Sequence, residues 1–305
     1  SQEAYVAAAD ASTNVPANTA GARRSYYTKK FFSRSSEFVL KRPIIEARFD
    51  NSTQDDRGDV IKSSSLAPAS DNLNNIYLYN KIRGNFRDIP NTGSNLLVQL
   101  VPSVGEAPVT ITGPDTVLTY VTASKVSTGL YKASFAYSGT LASARDVWQY
   151  TGSSTNGYVQ LYTGSAFSIY QAGASSYYPL SSYVINITNL KPSYEKDDKA
   201  QFRIHSRSKD WKPNIYTVAS NNSPVSNIRE GYYKISRPAD NMTIVPYSTG
   251  SSPSYSKLSY DVSGSYFDLD MSILEPNYLY EISILRKEKD GYIEQKEKFK
   301  FRINP

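Results

Sequence analysis

With 305 residues, 39% of them hydrophobic, and a net charge of +6, the chain is long enough for two ordinary domains, each with its own core. It has no cysteine, which excludes disulfides, thiolate metal sites and a thiol nucleophile. Its one histidine, His205, would have to serve any imidazole-based triad or metal site. No apolar run approaches the roughly 20 residues of a membrane-spanning helix, so no membrane partner is expected.

Tyrosine contributes 26 residues, and a ring with a polar tip suits half-buried sheets and wet interfaces. Ser, Thr, Asn, Gly and Pro fill much of the remainder, the composition of many short strands joined by turns. The lack of cysteine fits assembly in a reducing cytoplasm. The start, Ser1 to Asp10, lacks a basic region followed by an apolar core and does not read as a signal peptide.

Residues 1–36 read as an extended arm. They are polar and Ala- and Asn-rich, then basic, with the aromatic pairs Tyr26-Tyr27 and Phe31-Phe32, and neither the helical nor the strand period is sustained. Between Arg23 and Arg42 stand seven basic residues, Arg23, Arg24, Lys29, Lys30, Arg34, Lys41 and Arg42, against one acid, Glu37. The rest of the chain is balanced at 27 basic and 27 acidic residues. The net charge therefore belongs to this window, where an electrostatic partner is to be sought. Cations interleaved with aromatics fit phosphate contact and base stacking, or an arm that locks onto an acidic protein surface. The extended arm and the sandwich domains favour protein over nucleic acid.

Residues 37–180 read as a β-sandwich or jelly roll. Strands are predicted over Phe38–Leu40, Ile44–Phe49, Ile76–Ile82, Leu96–Leu100, Val117–Thr122, Tyr131–Tyr137, Val147–Trp148 and Val159–Tyr162, with a turn-rich stretch from Asp50 to Asp71. The Ser-, Gly-, Ala- and Tyr-rich run from Gly164 to Ser182 predicts the domain boundary.

Residues 181–305 read as an immunoglobulin-like sandwich. Tyr183, Ile185 and Ile187 alternate with polar neighbours, Phe202 and Ile204 point inward with Arg203 and His205 outward, and Phe299, Phe301 and Ile303 alternate with Lys298, Lys300 and Arg302. Further strands are predicted over Tyr232–Ile235, Ile244–Tyr247, Tyr266–Met271 and Tyr278–Ile284. About seven strands in this length match such a sandwich. Leu274-x-Pro276-x-x-x-Tyr280 resembles the tyrosine corner of fibronectin type III and related sandwiches. There Leu fills the core, Pro fixes the turn, and the Tyr hydroxyl bonds back to upstream backbone.

Several phrases carry a wider resemblance: Phe31-Phe32-Ser33-Arg34, the run Arg42–Phe49, Ser63–Pro68, Asn75–Asn80, Asp146-Val147-Trp148, Asn214–Val218, Tyr260–Gly264 and Tyr266–Met271. Together they resemble virion structural proteins of tailed bacteriophages, particularly marine T4-like phages and cyanophages. The resemblance spans about residue 25 to the C-terminus. It implies a particle component assembled in the bacterial host cytoplasm, present in many copies or as a homo-oligomer, with other virion proteins as partners. It carries no catalytic residues.

The sequence holds little that points to chemistry. Asp55-Asp56, Asp197-Asp198 and Asp268-x-Asp270 are paired carboxylates, but adjacent carboxylates in polar turns are usually solvated, and glycosidase work needs two that converge on one bond. Asp268 and Asp270 would share one strand face, yet no Asp-x-Asp-x-Asp-Gly loop accompanies them, so no metal is expected. Arg57-Gly58-Asp59 spells a cell-adhesion tripeptide in a charged turn. Asn51, Asn186, Asn221 and Asn241 satisfy the glycosylation pattern. No cofactor and no catalytic residue is expected. The function expected is non-enzymatic assembly, as a capsid decoration or a head, neck or tail connector. The alternatives are a tail-associated module for host-surface carbohydrate and a carboxylate-based glycan hydrolase.

Overall fold

The computed structural model describes residues 3–7, 14–18, 31–90, 96–114, 117–151, 157–171, 183–209, 211–215, 225–250, 254–288 and 291–305. Arg23, Arg24, Tyr26, Tyr27, Lys29 and Lys30 of the expected arm, and the boundary expected at residues 180–181, lie outside the described residues. The chain divides into two compact units, residues 1–47 and 48–305.

In the first unit, β1 (Glu3–Ala7) pairs antiparallel with β2 (Asn14–Asn18). The strand expected at Phe38–Leu40 is instead a single 3-10 turn, Val39–Lys41. The strand expected at Ile44–Phe49, which crosses the unit boundary, is exposed chain outside every described sheet. Its apolar residues suggest a pairing, but among the described residues no strand pairs with them.

The second unit contains two sandwiches. The first uses β3 (Val60–Ile61), β4 (Asn74–Tyr79), β5 (Lys81–Ile82), β6 (Asn85–Phe86), β7 (Leu96–Val101), β8 (Ile111–Thr112), β9 (Val117–Leu118), β10 (Val121–Thr122), β11 (Ser124–Ser127), β12 (Leu130–Phe135), β13 (Ser143–Thr151), β14 (Tyr158–Thr163) and β15 (Phe167–Tyr170). One sheet has the order β10-β7-β13-β15-β3, with β14 also on β13; the other has the order β11-β12-β4. Period-two alternation fills the space between them: Leu96, Val98 and Leu100 from β7, Tyr131, Ala133 and Phe135 from β12, and Trp148 from β13 are all buried. Full burial of one such side chain stabilises by about 1.5–3 kcal/mol. Of the two architectures expected for this region, the sandwich is the one observed.

The second sandwich uses β16 (Tyr183–Ile187), β17 (Ser193–Glu195), β18 (Lys199–Ser208), β19 (Gly231–Arg237), β20 (Met242–Val245), β21 (Ser259–Asp261), β22 (Gly264–Asp270), β23 (Leu279–Glu288), β24 (Gly291–Glu294) and β25 (Phe299–Asn304). Its sheets have the orders β16-β18-β22-β21 and β17-β25-β23-β19-β20, with β24 also on β23. Aromatic stacking organises the core. Phe267 stacks on Phe202 at 5.0 Å and on Tyr233 at 4.2 Å, and Tyr194 meets Phe301 edge-on at 5.7 Å.

In immunoglobulin lettering the second sandwich is ABED against A′GFCC′, with A′ parallel to G through β17 and β25. The first sandwich repeats this order. Strands β4, β12 and β11 are B, E and D, while β3, β15, β13, β7 and β10 are A′, G, F, C and C′, with β3 again parallel to β15. Each F strand also carries an extra strand, β14 or β24, ahead of its G strand. Both sandwiches are therefore immunoglobulin-like.

The corner motif falls where this topology needs it. Leu274 is buried, and the Tyr280 hydroxyl accepts from the Glu275 N–H and donates to the Glu275 carbonyl, both at 2.8 Å. Asn277 turns the corner at φ +71°, a conformation that Asn tolerates better than most residues.

Candidate functional site

Three places gather side chains with more than a local structural role. The first is the aromatic and basic segment. Phe31 is 83% exposed, Phe32 45%, Phe38 50%, Ile44 72% and Phe49 65%. Arg34 is exposed as well. The 3-10 turn places the Lys41 ammonium 5.2 Å from the Phe32 ring centre and 5.0 Å from that of Phe38, and the two rings meet edge-on at 6.0 Å. The Arg42 Nε donates to the Ser36 carbonyl at 2.6 Å, closing the loop beneath them. The result is a small knuckle that presents ring faces and cations together.

The second place is the joint between the sandwiches, built on Thr53–Asp59. This stretch precedes β3, as β16 precedes β17 in the second sandwich. Strand β16 pairs with its own sandwich at β18. Residues 53–55 instead lie parallel to β21 of the other sandwich: the Tyr260 N–H donates to the Thr53 carbonyl and the Asp55 N–H to the Tyr260 carbonyl, each at 3.0 Å. An edge strand of the second sandwich is thereby covered by chain belonging to the first.

Side chains complete the joint. The Arg57 NH1 donates to Asp55 Oδ2 at 2.7 Å, and its NH2 donates to Asp146 Oδ2 at 2.6 Å. Asp146 has no exposed surface and also accepts from the Trp148 indole at 2.6 Å. Asp56 accepts from the Asn75 N–H at 2.7 Å and from the Tyr260 hydroxyl at 2.8 Å. Arg229 donates to Asp59 Oδ2 at 3.0 Å. Burial pushes the Asp55 carboxyl up to about 6, against the pull of Arg57; burial raises Asp56 too.

The expectation of a solvated Asp55-Asp56 turn is thus corrected. Both carboxylates are buried: Arg57, two residues on, supplies the hydrogen bonds of Asp55, and Asn75 and the distant Tyr260 supply those of Asp56. The Arg57-Gly58-Asp59 tripeptide is engaged within the joint. A Cβ on Gly58 would stand 3.2 Å from the Val262 Cα, closer than ordinary packing allows.

The third place is a shallow polar recess on the outer face of the first sandwich, lined in part by Gln99, Gln149 and Gln160. The other predicted groups are dispersed. His205 is half-buried on β18. Asp270 caps the 3-10 turn Met271–Ile273 through the Ser272 N–H and pairs with Lys199 at 3.3 Å. Asp198 accepts from the Glu195 N–H at 3.0 Å. Among the described residues no group of three or more His, Asp or Glu side chains could hold a metal ion, and no helix is long and apolar enough to cross a membrane.

No protein-family model and no curated protein matches the chain. Among solved structures it is similar to a marsupial T cell receptor at 7% identity and a TM-score of 0.25, covering 81% of this chain and 71% of that one. It is similar to a Salmonella alpha-2-macroglobulin reacted with methylamine at 11% identity and 0.24, covering 87% and 16%. The FN1-FN3 domains of chicken CNTN1 give 11% identity and 0.20, covering 85% and 69%. At such scores the immunoglobulin-like assignment rests on the strand order itself.

Proposed function

We propose that this chain is a non-enzymatic structural component of a tailed-phage particle. It is held in the virion by protein–protein contact and assembled in many copies alongside other virion proteins. The observation that supports this most is the exposed run from Phe31 to Ile45. Its apolar side chains stand in water between cations, and residues 43–47 belong to no described sheet. Soluble proteins rarely leave so many large apolar groups exposed together unless a partner covers them. An extended segment can satisfy its backbone by adding to a neighbour's sheet edge while its alternate side chains fill pockets. The basic excess from Arg23 to Arg42 suits an acidic partner surface.

The joint supports the same reading. Fixing one sandwich to the other with the buried Tyr260–Asp56 hydrogen bond and shared backbone hydrogen bonds favours a scaffold over a hinge. Deleting Ser1 to Ser36 is expected to leave both sandwiches folded and to abolish incorporation into particles. Replacing Phe31 and Phe32 with Ser should release the protein even at low salt, whereas the wild-type chain stays attached at moderately high salt because apolar burial is not screened. Incorporation of the Phe31→Ser/Phe32→Ser variant at the wild-type level, measured on purified particles, would overturn the proposal.

A further inference from the structure

We infer that the outer face of the first sandwich carries a binding site for a neutral sugar unit, in the recess around Gln149. On β13, Trp148 points into the core, so Val147 and Gln149 point outward. Gln149 lies in register with Gln160 of β14, and Val147 with both Gln99 of β7 and Thr163 of β14. Leu161 is the extra residue of a β-bulge, and it turns Gln160 and Thr163 toward the same side. Three amides from three adjacent strands and one hydroxyl thus line a recess of about 170 Å³, together with Glu106 from the loop after β7.

The Gln149 amide is the reason to assign a ligand. Its side chain is buried, with 7% of the residue exposed, and its Nε2 has no hydrogen-bond partner among the described residues. A buried donor left unpaired destabilises a fold, and such groups in native proteins call for an explanation. By contrast Gln160 Nε2, also at the recess, is paired: it donates to Thr163 Oγ1 at 2.7 Å.

The lining selects the ligand class. Amides offer donor and acceptor side by side, which matches vicinal hydroxyls, each both donor and acceptor. Among the described residues no cation lines the recess, so these give an anion no counter-charge. The volume is below the roughly 300–1,000 Å³ of drug-sized pockets, which suits one ring at a time. Tyr158 stands two residues before Gln160 on the same face of β14 and is 46% exposed, placed to lay its ring against the C–H face of a pyranose.

The test uses the full chain and saturation-transfer NMR with free glucose, galactose, mannose and N-acetylglucosamine. At least one should show transfer, and Tyr158→Ala should weaken it. Gln149→Met should abolish the transfer and raise the melting temperature, because it removes an unpaired buried donor while keeping the packing. A purely structural glutamine would give the opposite sign. Absence of transfer from all four sugars, transfer unchanged in Gln149→Met, or a lowered melting temperature of that variant would each overturn the inference.

Discussion

On β13 the residues that point into the first core are Ala144, Asp146 and Trp148; on β23 their counterparts are Tyr280, Ile282 and Ile284. Ile282 lies two residues past the corner tyrosine, where antibody domains place their second core cysteine, so plain apolar packing takes the place of a disulfide. The first sandwich puts a carboxylate in its own core. That carboxylate is held by the Trp148 indole and by Arg57, which reaches it from the entering segment, and Gly164 leaves room for it: a Cβ there would collide with Asp146. One strand order thus supports two kinds of core. The second is closed by its own aromatics. The first is complete only when the segment shared with its neighbour is in place.

The largest effect should come from removing Arg57. Arg57→Ala leaves Asp146 and Asp55 buried without their cation, and breaking a buried pair costs about 3–5 kcal/mol. A urea midpoint shifted by less than a third of that would mean that Asp146 finds another partner and that the two cores differ less than their residues imply. A second experiment concerns pH. The folded state binds the Asp55 proton more tightly than the unfolded state, because the carboxyl is pushed from its ordinary value near 3.8 up to about 6. Stability contributed by this group is therefore present below about pH 4 and falls as pH rises through 6. The fall is at most roughly 3 kcal/mol, at about 1.4 kcal/mol per pKa unit. Denaturation midpoints from pH 4 to 7 should show this decline in the wild type and lose most of it in Asp55→Asn, with Asp56 supplying a residue of the same sign. A flat wild-type profile would show that the joint holds Asp55 charged at no cost.

The smallest effect separates the two E–F corners. The Tyr280 hydroxyl makes two backbone hydrogen bonds to Glu275, whereas the Tyr137 hydroxyl accepts one, from the Leu141 N–H at 3.1 Å. Tyr280→Phe should cost about 1–3 kcal/mol and Tyr137→Phe about 0.5–1.5 kcal/mol. Equal losses by thermal denaturation would place the two tyrosines on the same footing and remove this part of the contrast.

Legibility in the sequence followed the range of the forces involved. Phe299, Phe301 and Ile303 declare β25 because alternation on one buried face is local, and the Leu274–Tyr280 corner reads equally well because every partner lies within a few residues. Strand β15 lies inside the Ser-, Gly-, Ala- and Tyr-rich run that predicts the domain boundary; only Phe167 and Ile169 alternating with Ser168 and Tyr170 betray it. Strands β3 and β17 are two and three residues long, too short for a period to register. The joint could not be read at all: Asp56 is bonded by Tyr260, 204 residues away, and Arg57, the partner of Asp55, is anchored by Asp146, 89 residues from it. In the recess, Gln149 is legible as the outward neighbour of Trp148, but the bulge at Leu161 that brings Gln160 and Thr163 beside it leaves no mark in composition.

The pairing of residues 53–55 with β21 also sets a clock on biosynthesis. Thr53 and its hydrogen-bond partner Ser259 are separated by 206 residues. At about 5–20 residues per second, the ribosome delivers the partner strand roughly 10–40 s after the entering segment has emerged. Arg57 and Asp146 are 89 residues apart and can meet much earlier. The nascent first sandwich therefore passes through a stage in which its core carboxylate is neutralised while Asp56 still lacks Tyr260 and Arg229. Slowing translation between the two sandwiches lengthens the exposure of that open flank, and a chain released before residue 259 carries it permanently.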